Sequence, residues 1–117
     1  LTYRHRFESS GACFGGLQYA QDYGIRSYNA IRDSLSGTSL QAHHIIEKRF
    51  TEILGLKIDQ MGCVAVTKTE HLLFTNQWRS LIPYGTIPNK ETIWEAAKQI
   101  YADYPALLET ARATLGL

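Results

Sequence analysis

The residues best equipped for chemistry are His43 and His44, two of the chain's four histidines, adjacent within Leu40-Gln41-Ala42-His43-His44-Ile45-Ile46-Glu47-Lys48-Arg49-Phe50. Neighbours in an extended segment point to opposite faces, so this pair does not offer the i, i+4 chelate that a helix makes. It suits a division of labour instead. One imidazole holds a metal ion, and the other, reaching around the strand end, takes a proton from a water beside that ion. Phosphodiester hydrolysis needs both services: an activated water on one side of phosphorus, and stabilisation of the leaving oxygen and developing charge on the other. The plain alternative is a half-buried strand that happens to end in two histidines.

A third imidazole enters through spacing. Gly62-Cys63-Val64-Ala65-Val66 reads as a buried strand, and Thr67-Lys68-Thr69-Glu70-His71 opens a helix. Thr67 is a good N-cap and Glu70 follows three residues later, the spacing of a capping box. The helix is expected to reach Leu81 or Ile82, because Pro83 cannot continue it. His71 shares a face with Phe74, Thr75, Trp78, Leu81 and Ile82. Three histidines converge if the strand carrying His43 and His44 packs against that face. Taken alone, a histidine on an apolar stripe is more commonly a core residue satisfied by a backbone carbonyl.

The elements around these positions follow from pattern and punctuation. Leu40 to Ile46 reads as a strand, and Glu47 to Leu54 as a short helix closed by Gly55. Tyr28, Ile31 and Leu35 recur at helical intervals within Arg26 to Leu35, ahead of Ser36-Gly37. Leu17 to Tyr23 is a short strand or a turn of helix ending at Gly24. Leu1 to Gly16 has no period and is expected to be irregular, with His5 a surface or capping residue. Asn89 caps a helix carrying Ile93, Trp94, Ala97, Ile100 and Tyr101, and Pro105 opens a last helix with Leu107, Leu108, Ala111 and Leu115 before Gly116. These two helices offer packing surface and no recognisable chemistry, Trp94 and Tyr101 being read as core. The order strand, strand, helix around the histidines is that of a ββα-metal site. The expected class is therefore α+β, mostly helical: one domain over 1–117, with a core at 38–82 and a helical extension at 89–117.

Composition narrows the function classes. With 117 residues and 44% hydrophobic content, the chain has enough for one core. A formal charge of +1 gives no whole-domain argument for nucleic acid. Residues 1–90 carry ten Lys/Arg against seven Asp/Glu, and 91–117 two against four, a mild basic bias toward the histidines. No apolar run approaches the roughly 18 residues of a membrane span, and a soluble domain is expected. The chain starts at Leu1 without a signal-peptide pattern, so we expect a piece of a longer protein. Cys13 and Cys63 lack the spacing of a zinc knuckle or a disulfide framework and are expected to be buried thiols, with one disulfide the lesser alternative. A cysteine nucleophile pairing Cys13 with a histidine has only residue types in its favour.

Gln41-Ala42-His43-His44-Ile45-Ile46-Glu47-Lys48-Arg49-Phe50, with Val64-Ala65-Val66-Thr67-Lys68-Thr69-Glu70-His71 and Phe74-Thr75-Asn76-Gln77-Trp78-Arg79, resembles the AHH-type nucleases of the HNH/endonuclease VII superfamily. Such nucleases are C-terminal toxin domains of bacterial polymorphic toxins, including Rhs-type and contact-dependent-inhibition effectors. Gly24-Ile25-Arg26-Ser27-Tyr28 and Ile82-Pro83-Tyr84-Gly85 extend the similarity over about Gly24 to Tyr104. The resemblance implies a treble-clef-like core in which His43 and His71 ligate a divalent ion and His44 is the general base. It implies Mg²⁺ or Mn²⁺ in action, with Zn²⁺ or Ni²⁺ able to take the place in a crystal. It further implies a secreted or contact-delivered effector acting in the target cell's cytoplasm on DNA, with RNA (tRNA included) the alternative, and a cognate immunity protein. A monomer without membrane contact is expected.

Two departures stand out. Related sites often carry an asparagine before the second strand to steady the base, and here that position is Gly62; a backbone carbonyl of the hairpin would have to do the work. A further ligand one turn along the helix would be Thr75, while Asn76, rotated about 140° from His71, is expected to miss the ion. Arg49 is the candidate to bridge two oxygens of the scissile group. Lys48, Lys68 and Arg79 are candidates for phosphate contact, and Glu47, Tyr28 and Thr75 for support. The competing class is a non-catalytic interaction domain stabilised by a structural ion.

Overall fold

The structure, a computed structural model, describes residues 12–117; the expectations for His5 and the earlier part of the irregular opening lie outside the described residues. It is α+β, with a small three-stranded antiparallel sheet among helices. In chain order the elements are α1 (Ala20–Tyr23), β1 (Arg26–Ser27), α2 (Tyr28–Ser34), β2 (Gln41–His44), α3 (Thr51–Leu54), β3 (Gly62–Val66), α4 (Lys68–Leu81), α5 (Lys90–Ile100) and α6 (Pro105–Thr114). Short 3₁₀ turns add Ala12–Phe14, Lys48–Phe50 and Ile58–Gln60.

β3 is the central strand, flanked by β1 and β2. Gly62 to Val66 can be central because its side chains are apolar or absent, so both faces of the strand bury well. His43 lies opposite Val64 and His44 opposite Cys63. Val64 and Val66 join the larger core with Phe50, Phe74, Trp78, Ile93, Tyr101 and Leu107, whereas Cys63 and Ala65 face α2 through Ile31 and Leu35. The alternation of the strands thus sends His43 toward the larger core and His44 toward α2.

α4 begins as its sequence dictates. Thr67 Oγ1 accepts from the Glu70 amide at 3.1 Å and Glu70 Oε1 accepts from the Thr67 amide at 2.9 Å. This reciprocal cap fixes the first turn and with it the position of His71. Phe74, Trp78 and Ile82 are fully buried along one stripe, but Leu81, expected on that stripe, is 39% exposed. Asn89 Oδ1 caps α5 by accepting from the Thr92 amide, and Pro105 occupies the first turn of α6.

Several boundaries differ from the sequence reading. The histidine strand ends at His44 rather than Ile46, because Ile45 and Ile46 turn inward to the core. Residues 47–54 divide into a 3₁₀ turn and the single turn α3, which Gly55 closes at φ 67°. The helix expected from Arg26 starts two residues later, since Arg26 and Ser27 pair with Cys63 and Gly62 as β1. A two-residue strand has no period to betray it.

Candidate functional site

A cleft of about 410 Å³ opens where the end of β2 meets the first turns of α4. Its lining includes His43, His44, His71, Glu47, Lys48 and Arg49, with Tyr28, Thr75, Arg79 and Tyr84 around them. The three imidazoles of the sequence reading are therefore brought together. His43 and His71 have ring centres 5.5 Å apart, edge to face. Two imidazoles sharing one ion through nitrogens at about 2.1 Å place their ring centres on the order of 5 to 6 Å apart. The separation of the pair lies within that range.

His43 is 3% exposed and its ring lies against Phe74, centres 4.8 Å apart. Its Nε2 is 2.8 Å from the Tyr101 hydroxyl. Burial, aided by His71 and His44, depresses its pKa to about 3, so the ring is neutral near pH 7 and its nitrogen lone pair is available to a cation. The same burial ties stability to pH. Between the ordinary value of 6.5 and about 3 the unfolded chain takes up a proton that the folded chain refuses, so the metal-free protein loses stability as pH falls through that window. Urea midpoints at pH 7 and pH 4.5 should differ accordingly; equal midpoints would mean that water reaches the ring.

His44 stacks on Tyr28 with ring centres 4.8 Å apart and planes 24° off parallel. Its Nε2 is buried and has no hydrogen-bond partner. A buried polar atom without a partner is costly unless a ligand or water completes it. The His44 pKa is lowered, chiefly by burial, with Lys48 and His71 adding to the effect and the nearby Ile58 carbonyl opposing it. That carbonyl, in the connection between β2 and β3, is a backbone group beside His44 of the kind expected to replace the missing asparagine. It accepts from the Met61 amide at 3.2 Å, and the Tyr28 ring is the firmer support for His44. Burial also lowers the His71 pKa, while Glu47 raises it.

The cationic candidates divide. Lys48 and Arg79 line the cleft; Lys68, exposed in the first turn of α4, does not. Arg79 Nε donates to the Tyr84 hydroxyl at 2.9 Å. Arg49 requires correction: it reaches the cleft, but its Nε donates to Glu47 Oε1 at 2.6 Å and its Nη2 to the Trp78 and Ile82 carbonyls at the end of α4. Two of its three nitrogens hold the fold together, which leaves no free fork for a phosphate. Thr75 faces the cleft, and exposed Asn76 is not among its walls, as the helical rotation required.

Both cysteines are free thiols, Cys63 buried and Cys13 half-buried. Burial pushes the Cys63 thiol up to about 12, which removes it as a nucleophile near neutral pH. The residue that sequence reasoning missed is Tyr101. It has the spacing of a core aromatic on α5, and only the fold shows its hydroxyl beside His43.

Among the described residues no cluster of three or more His, Cys, Asp or Glu side chains is arranged to hold a metal ion. No family model, curated protein or solved structure matches the chain.

Proposed function

We propose that this domain is a metal-dependent endonuclease with a ββα-metal core formed by β2, β3 and α4, and that it hydrolyses phosphodiester bonds of nucleic acid, DNA before RNA. The observation that carries the reading is the convergence of three imidazoles, His43, His44 and His71, on one cleft. His43 and His71 would hold the ion, and when bound it would supply positive charge to the leaving side of the phosphate. His44, neutral and braced by Tyr28, takes the proton of the attacking water. Lys48 and Arg79, on the same walls, attract and orient the phosphate backbone. The toxin context, the target-cell site of action and the immunity partner rest on the sequence resemblance alone.

The test is incubation of plasmid DNA and total tRNA with the domain, with Mg²⁺ or Mn²⁺ and then with a chelator. Cleavage that needs the ion, together with a melting temperature that chelation moves by only a few degrees, is the expected result. A large fall in melting temperature without any cleavage would favour the structural-ion domain, because metal that completes a fold contributes its binding energy to stability.

A further inference from the structure

The hydroxyl of Tyr101, at the end of α5, meets three groups at once. Its oxygen is 2.6 Å from the Ile45 carbonyl, 2.8 Å from His43 Nε2 and 3.2 Å from Trp78 Nε1. All the partners are buried, so the protons must be distributed without help from solvent. A carbonyl only accepts, and the single phenolic proton goes to Ile45. An indole N–H only donates, which fills one lone pair of the phenolic oxygen. The oxygen has one lone pair left and no second proton to give. His43 Nε2 must therefore bring its own.

We infer that Tyr101 holds His43 in the tautomer protonated at Nε2, which leaves Nδ1 as the nitrogen that faces the ion. The inference rests on the nuclease reading for the ion, but not for the tautomer. Nδ1 has no hydrogen-bond partner among the described residues, nor is it one of the unpaired atoms sealed from solvent, which are His44 Nε2 and Gln77 Oε1. It belongs to a ring that lines the cleft and faces His71 across 5.5 Å. Tyr101 is thus a positioning residue. It acts on the ion through His43, as hydrogen-bonded partners of ligating histidines commonly do by fixing ring orientation and tautomer. Its own place is set by Phe74 and Trp78, whose rings meet it edge to face.

The experiment is nitrogen-detected NMR of the histidine rings in the metal-free protein, followed by Mn²⁺ titration of wild type and Tyr101→Phe. In the wild type His43 should show the Nε2–H pattern alone. In Tyr101→Phe the ring should show both tautomers and Mn²⁺ affinity should fall by about 10- to 100-fold. A wild-type ring protonated at Nδ1 overturns the inference even if the variant does not fold, and so does a folded variant with unchanged affinity. Wild-type protein that shows the Nε2–H pattern but cleaves no nucleic acid would overturn the nuclease reading and leave the tautomer assignment standing.

Discussion

His44→Ala should lower the rate of nucleic-acid cleavage by about 10²- to 10⁴-fold, the usual contribution of a positioned general base, while the protein keeps its fold. The two halves of this expectation have separate grounds. The rate falls because no other imidazole in the cleft can stand in: His43 is tied to Tyr101, and His71 lies beside His43, the pair proposed to hold the ion. The fold survives because His44 Nε2 has no partner to lose, and the main contact given up is the stack on Tyr28, worth about 0.5 to 1.5 kcal/mol. Plasmid nicking under saturating Mn²⁺, with thermal melting of the same sample, measures both. Undiminished cleavage by the variant would end the mechanism.

Arg49→Ala should act in the opposite sense, on stability before rate. Its guanidinium joins Glu47 to the carbonyl end of α4, and both side chains of the ion pair are largely covered, at 20% and 16% exposure. Removing it orphans a carboxylate and helix-terminal carbonyls together. Hydrogen bonds to charged groups contribute about 1.5 to 3 kcal/mol, so a fall of about 10 °C in melting temperature is expected. Arg49→Lys should recover little of it, since a point charge cannot span the carboxylate and the carbonyls. Cleavage per folded molecule should change far less than in His44→Ala. If instead melting is unchanged and only the rate collapses, Arg49 is the phosphate clamp that the sequence suggested.

What was legible in the sequence was whatever local chemistry decides. Thr67 and Glu70 announce the start of α4, Asn89 and Pro105 those of α5 and α6, and the apolar run 62–66 a central strand. The adjacency of His43 and His44 was enough to divide them between two faces, and first-turn placement brought His71 to the same cleft. What was not legible depends on contacts between distant parts of the chain. Tyr101 is 58 residues from His43, and nothing in its helical spacing separates a core tyrosine from one that holds an imidazole. Arg49 looked like a free cation because its partners on α4 lie 29 and 33 residues away. β1 was hidden for a different reason: two residues borrow their strand character from β3.

The pairing of β2 with β3 carries a consequence for how the protein can fail. Which imidazole meets Tyr101 and which meets Tyr28 is decided by parity alone, through His43 opposite Val64 and His44 opposite Cys63. A slip of one position would exchange the two rings, pressing His44 into the aromatic core and turning His43 toward α2. Such a molecule could keep its helices and much of its compactness and still have no working site. For this chain, the alignment of a four-residue strand is as much a part of the proposed site as the histidines themselves.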